Sequence, residues 1–504
     1  MSNVVTAAVP EVRALPEGVH TLSDHEAHAR GLLEPATWAY FSGGAGDEST
    51  LCANPAAWQA LSLSPRVLRP VAGGHTRVEL LGRTLPHPMI IAPMAYQRLA
   101  HADGEMATAI AAAAPGAGFV LSTQATVPLE AVSRAVKNDA GRGPLWFQLY
   151  FQRERAATLA LAQRAEAAGY EALVVTADAP VQGARDAERR AGFRLPPGIT
   201  AVNLAGFPAA PATAPGQNNV FGDLMASAPT WSDVDWLQGA TRLPVILKGM
   251  LHPDDARQAQ RMKLAALVVS NHGGRTLDTF PATARVLPGI ADALGGHMPL
   301  LVDGGIRRGT DILKALALGA DAVLVGRPCL WGLANAGAVG VAHVLRLLRD
   351  ELEVAMALCG IATLANASRA LIWTDEGLPP IPLLCEGRPA NATYSHLYST
   401  QSCFPPRTYH DRLCLPSHLG PRNRPPRAQR DGLRRYPVRT RRRHAMRPVR
   451  AVRPGRGGAV QLDPPRRGTG TRCPGRRTRR MERLLFLAVS LIFVLAGAAW
   501  VLRR

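Results

Sequence analysis

Eight short, almost wholly apolar runs recur between residues 89 and 328, each followed by a polar or glycine-rich step and then an Ala- and Leu-rich stretch. They are MIIAP, GFVLST, LWFQLY, ALVVTAD, PVILKG, ALVVSN, PLLVDGG and AVLVGRP. Runs this short and this apolar read as strands buried on both faces, and strands alternating with helices pair in parallel through βαβ crossovers. Eight such units close into a (β/α)8 TIM barrel. A doubly wound open sheet is the competing architecture. Strand count and the placement of polar residues favour the barrel, because polar or glycine-rich residues follow the C-terminal ends of the runs: Gln148 and Tyr150, Thr176 and Asp178, Lys248, Ser270 to Arg275, Asp303 to Arg307, Gly326 and Arg327. In a barrel that face carries the active site.

The net charge of +20 over 504 residues would ordinarily suggest nucleic acid or a membrane surface. It is confined to the end of the chain: residues 376 to 504 hold 27 Arg, no Lys and 6 acidic residues, leaving 31 basic and 32 acidic residues before them. The expected organisation is therefore an N-terminal arm (1–20), the barrel (21–375), a disordered Pro- and Arg-rich tail (376–480) and a candidate transmembrane segment (481–504). The last rests on the apolar run Leu484 to Leu502, which has arginines on both sides and is long enough to span a bilayer. No specific nucleic-acid role is expected, since the tail lacks lysine and interleaved aromatics, and its internal MERLLFLAV resembles the start of a separate small protein, as a shifted frame or gene fusion would give. None of the seven cysteines lies in a CxxC pair, so neither a disulfide framework nor a metal site is expected. The N-terminus lacks the apolar run of a signal peptide, which predicts a cytoplasmic barrel, anchored to the inner membrane if the final segment inserts. Residues 195–231 read as a long surface excursion.

The segment VVSNHGGRTLD, Val268 to Asp278, carries the most chemistry. It sets His272 and Arg275 at the end of a buried strand, with Gly273 and Gly274 allowing close approach of a flat ligand. An imidazole can take a proton from a hydroxy acid, and a guanidinium fork suits a carboxylate. Two further loops suit a phosphate. DGGIRRG at 303–309 and GRP at 326–328 follow the seventh and eighth runs, where barrels commonly hold phosphate on backbone N–H groups. There Gly304, Gly305 and Gly326 leave room, Arg307 and Arg327 supply charge, and Asp303 offers a carboxylate to hydroxyl groups beside the phosphate.

SNHGGRxLD closely resembles the signature of the FMN-dependent α-hydroxy acid oxidising enzymes. So do YFSGGAGDE, IAPMAYQRLAHADGE, LSTQAT, WFQLY, VVTADAPVQGARDAERR, VILKG and VDGGIRRGTDILKALALGADAVLVGRP, in the family's order over about residues 20–373. The resemblance implies FMN as cofactor and a small L-2-hydroxy acid of the lactate, glycolate or mandelate type as substrate. It makes His272 the active-site base, supported by Asp178. Arg185, Arg275 and Tyr40 would bind the substrate carboxylate, and Tyr150 its hydroxyl. Lys248 would sit against the flavin N1 and C2 carbonyl; Ser122, Gln148, Thr176 and Ser270 would hydrogen-bond the ring edge, with Ala92 to Ala95 against the ring. Oxygen is the expected acceptor, with a membrane quinone or cytochrome as the alternative, and a homotetramer is expected.

Some positions depart from the family pattern. Gln124 replaces a tryptophan and Tyr96 a smaller residue, Pro115 is expected to interrupt the first barrel helix, and RMKLAALVV lacks a customary glycine. AYQRLAH most resembles the 4-hydroxymandelate oxidase branch.

Overall fold

The computed structural model describes residues 14–374, apart from 208–219, 222–224 and 226–227. The basic tail, the candidate transmembrane segment and part of the proline-rich excursion lie outside these residues. Eight parallel strands form a closed barrel: β1 (Met89–Ile91), β2 (Gly118–Ser122), β3 (Leu145–Leu149), β4 (Ala172–Thr176), β5 (Val245–Met250), β6 (Ala266–Val269), β7 (Leu300–Val302) and β8 (Ala322–Val325). These are the eight apolar runs, and β8 pairs back onto β1 with Leu324 beside Ile90. The open-sheet alternative is thereby excluded.

Every strand is buried, yet period-two alternation still separates two cores. Ile90, Val120, Trp146, Val174, Ile246, Val268, Leu301 and Leu324 point into the barrel, whereas Ile91, Phe119, Phe147, Leu173, Leu247, Leu267, Val302 and Val323 pack outward under the helices. A short hairpin, Val78–Leu80 with Arg83–Leu85, adds Leu80 and Leu85 to the inner core. It precedes β1 and leaves the opposite, C-terminal mouth open.

The Ala-rich helix Gly104–Ala113 follows β1, and Pro115 lies beyond its C-cap, Ala114. Pro115 thus ends that helix rather than interrupting it, as fits a residue that cannot continue one. The missing glycine is also located: the helix Pro253–Arg261 is capped by Met262, and the next residue, Lys263, is exposed with φ +57°. A left-handed L-residue costs roughly 1–2 kcal/mol, and glycine's greater chain entropy offsets about half of that. Lys263→Gly is therefore expected to stabilise the barrel by up to about 1 kcal/mol, raising Tm by about 1–3 °C in a calorimetric scan. A lower Tm would mean that the lysine side chain makes good the strain.

Candidate active site

The strand ends deliver a connected line of polar groups. Ser122 Oγ donates to Gln148 Oε1 at 3.2 Å, and Gln148 Nε2 donates to Thr176 Oγ1 at 3.0 Å, linking β2, β3 and β4. On the other side Lys248 Nζ, from β5, donates to Ser270 Oγ at 2.9 Å and pairs with Asp303 Oδ2 at 3.0 Å. Lys248 is buried, which opposes its charge, but Asp303 and Asp178 outweigh that and raise its pKa above the ordinary lysine value. Asp303 Oδ1 is buried without a hydrogen-bond partner.

Just beyond β6 the chain turns sharply. His272 has φ +56°, followed by Gly273 at +62° and Gly274 at +74°. Such a conformation at a histidine costs on the order of 1–3 kcal/mol and needs support. His272 N donates to Ser270 Oγ at 3.1 Å, and Asn271 forms a reciprocal amide pair with Asn54 at 2.8 and 2.9 Å. The imidazole Nδ1 meets Asp178 Oδ1 at 2.9 Å, so Nε2 is the nitrogen left for a ligand. Burial would raise the Asp178 pKa, but His272 and then Lys248 outweigh it, and the carboxyl titrates below its ordinary range. Gly249, with φ +111°, makes this approach feasible: a Cβ there would lie 2.5 Å from the Asp178 Cβ.

Arg275 lies partly buried beside Tyr40. Its Nη1 donates to the Tyr40 and Gly43 carbonyls at 2.7 and 2.8 Å, and its guanidinium lies 5.2 Å over the Tyr40 ring. Arg185 reaches the same place, donating from Nε to the Arg275 carbonyl at 2.9 Å. Burial and the charge of Arg185 lower the Arg275 pKa, and burial raises those of Tyr40 and Tyr150. These side chains, apart from Asp178, Ser270 and Asn271, line a cavity of about 1010 Å³ at the C-terminal mouth. That is the upper end of the roughly 300–1,000 Å³ found for ligand sites, suited to a flavin and a small acid together.

The same cavity is lined by Ala95, Ser122, Gln148, Thr176, Lys248, Asp303, Gly304, Gly305, Arg307, Gly326 and Arg327. Of the residues expected from sequence, Asp178 and Ser270 stand one contact behind the wall, against His272 and Lys248, and Gly274 is turned away from it. A Cβ at Gly274 would lie 2.7 Å from the Leu51 backbone N, so its lack of a side chain makes room for the helix bearing Leu51 rather than for a flat ligand. The group implied by the sequence fits this wall. Arg307 and Arg327 are partly buried, and neither forms an ion pair among the described residues, although the phosphate-type loops lie beside them. Burial, then neighbouring Arg275 and Arg307, lowers the Arg327 pKa to about 9. Two partly buried cations without a paired carboxylate suit an anion such as the FMN phosphate, and the orphaned Asp303 Oδ1 suits a ribityl hydroxyl. Arg327 has a further task unseen in the sequence: its three nitrogens donate to the carbonyls of Phe41, Gly273 and Gly43, tying the turn at His272 and Gly273 to the N-terminal helices.

Three contributors were missed. Gly249 makes room for Asp178, Phe193 stacks on Tyr40 at 4.5 Å, and Glu188 touches both Arg185 and Arg275. The last two come from the stretch after β4, where a polar helical turn and a loop phenylalanine carry no signal of their destination.

Residues 29–374 match the FMN-dependent dehydrogenase family. An L-lactate oxidase of Alicycliphilus denitrificans is 49% identical over 355 residues, covering 70% of this chain and 96% of that protein. Human 2-hydroxyacid oxidase 1 is 41% identical, covering 70% and 95%. Among solved structures, a mandelate oxidase variant with (S)-mandelic acid is 41% identical with TM-score 0.63, covering 69% of this chain and 97% of that one. Another form of that enzyme, with a C4a-OH-FMN adduct, gives TM-score 0.62 at 41% identity, with the same coverage.

Proposed function

Because the chain belongs to the family of FMN-dependent dehydrogenases, we propose that it oxidises a small L-2-hydroxy acid, L-lactate foremost, to the 2-keto acid with oxygen as acceptor. One observation carries this reading: the His272–Asp178 pair and the two arginines share a cavity with Lys248 and the phosphate-type loops. Arg275 and Arg185 hold the substrate carboxylate, Tyr40 and Tyr150 offer hydroxyls to it and to the α-oxygen, and the reacting carbon is thereby fixed beside His272. The imidazole takes the released proton at Nε2, while Asp178 stabilises the imidazolium from Nδ1. FMN held by these residues would supply the two-electron acceptor, and with oxygen as the terminal oxidant the balance would be hydroxy acid plus oxygen to keto acid plus hydrogen peroxide. Lys248 places a charge where a reduced, anionic ring would be stabilised.

Relatives named as oxidases support oxygen over a quinone. For the side chain, relatives 49% and 48% identical are named L-lactate oxidases, which favours a methyl group, and Tyr96 and Phe193 pack around Tyr40, at 6.2 and 4.5 Å between ring centroids, as an apolar wall for it. Anaerobic mixing with L-lactate, glycolate and L-mandelate, followed by admission of oxygen, tests the reading. Bleaching of the flavin fastest with L-lactate and rapid recovery in oxygen are expected; no bleaching with any of the three would refute it.

The family match ends at residue 374. Deleting residues 380–504 is accordingly expected to leave flavin content, Tm and kcat/KM within about twofold of the full chain. Loss of flavin or activity would assign the tail a part in the barrel.

A further inference from the structure

Within the cavity, Glu188 makes a contact that the proposed reaction does not require. It is 8% exposed, on the short helix Asp186–Arg190, and a single oxygen, Oε1, accepts from Arg185 Nη1 at 2.8 Å and from Arg275 Nη2 at 3.1 Å. These are the two guanidinium groups assigned to the substrate carboxylate. Each also has a backbone tie: Arg185 Nε to the Arg275 carbonyl, Arg275 Nη1 to the Tyr40 and Gly43 carbonyls. Among the described residues Glu188 is the carboxylate that forms an ion pair with each.

We infer that Glu188 is a positioning residue that presets the arginine pair for an incoming carboxylate; the inference rests on the function proposed above. Two guanidinium groups this close and this buried repel one another, and burial makes each charge costly. One shared carboxylate oxygen offsets the repulsion and holds both forks before substrate arrives. Each arginine has five N–H donors. Arg275 uses three and Arg185 two in the bonds named above, so both retain donors for a second carboxylate. Without Glu188, Arg185, which sits on the loop side of the cavity, is free to swing towards water. Substrate would then have to reassemble the pair, and that work is subtracted from its affinity. Removing a negative charge also strengthens the attraction for an anion, but this gain needs both guanidinium groups in place.

The test uses the full-length holoenzyme and 2-hydroxy-2-methylpropanoate, which has the carboxylate and α-hydroxyl but no α-hydrogen to lose. Its binding is followed by perturbation of the flavin absorbance. Glu188→Gln is expected to retain FMN and Tm, to bind the analogue about 10- to 100-fold more weakly, and to raise KM by a similar factor while kcat changes by less than about threefold. Glu188→Asp, which keeps the charge on a shorter arm, should fall between the two. Unchanged or tighter binding by Glu188→Gln would overturn the inference and leave the function proposal standing. If the unsubstituted enzyme neither binds the analogue nor is bleached by any hydroxy acid, the function proposal itself fails.

Discussion

His272→Gln is expected to purify yellow, with FMN bound as tightly as in the unsubstituted protein, and to turn over substrate at least about 100- to 10,000-fold more slowly. The flavin side of the cavity is built from other elements: the strand ends carrying Ser122, Gln148, Thr176 and Lys248, and the loops carrying Arg307 and Arg327. Among the described residues, His272 meets that wall through its backbone and not its imidazole, by the bond from His272 N to Ser270 Oγ. Glutamine can occupy the volume and can donate to Asp178, but it cannot hold a proton as imidazolium does. The left-handed turn at His272 is held by Asn271, Asn54 and the two glycines that follow, so the substitution should not disturb the loop. Flavin content and single-turnover bleaching, measured separately, check this. Full turnover in the variant would assign proton transfer to another group, and loss of flavin would mean that His272 holds the cofactor rather than the proton.

The eight strands, and which residues stand at the mouth where the strand ends gather, were legible because both are written locally. A strand buried on both faces must be apolar throughout, and a residue just beyond such a strand must arrive at the mouth, so sequence order alone places Lys248, His272 and Asp303 together. What could not be read depends on contacts between distant segments. The residues of the hairpin Val78–Leu85 alternate like any surface ribbon, and only the closed barrel gives Leu80 and Leu85 a core to enter. In DAERR, Glu188 is indistinguishable from a solvated helix residue until two arginines, one of them 87 residues further along, converge on it. Gly249 reads as a strand end and becomes necessary only because Asp178 passes within 2.5 Å of where its Cβ would be. Pro115 and Lys263 show a smaller form of the same limit. Each marks a helix end, and the exact cap geometry decides whether the residue breaks, ends or strains the element.

Arg275→Met is expected to lower kcat/KM by about 30- to 1,000-fold, the equivalent of roughly 2–4 kcal/mol of lost transition-state binding. Methionine fills much of the same volume but offers no donor to the substrate carboxylate, and that carboxylate stays charged throughout the reaction. The loss should therefore appear mainly in KM, with a smaller fall in kcat from poorer alignment of the reacting carbon beside His272. The side chain has a second task, since Arg275 Nη1 holds the Tyr40 and Gly43 carbonyls at the end of the helix Pro35–Ser42. Some stability should be lost too, visible as a lower Tm with FMN still bound. Arg275→Lys separates the two tasks. Its ammonium keeps the charge but lacks the planar fork, so it cannot serve two backbone carbonyls, Glu188 and substrate together; activity between that of the Met variant and the unsubstituted enzyme is expected. Removing Arg275 also leaves Glu188 paired with Arg185 alone, so a Glu188→Gln change added to Arg275→Met should cost much less than it does in the unsubstituted enzyme. An unchanged kcat/KM in Arg275→Met would place the carboxylate elsewhere in the cavity, and strict additivity of the two substitutions would show that Glu188 does not act through this arginine.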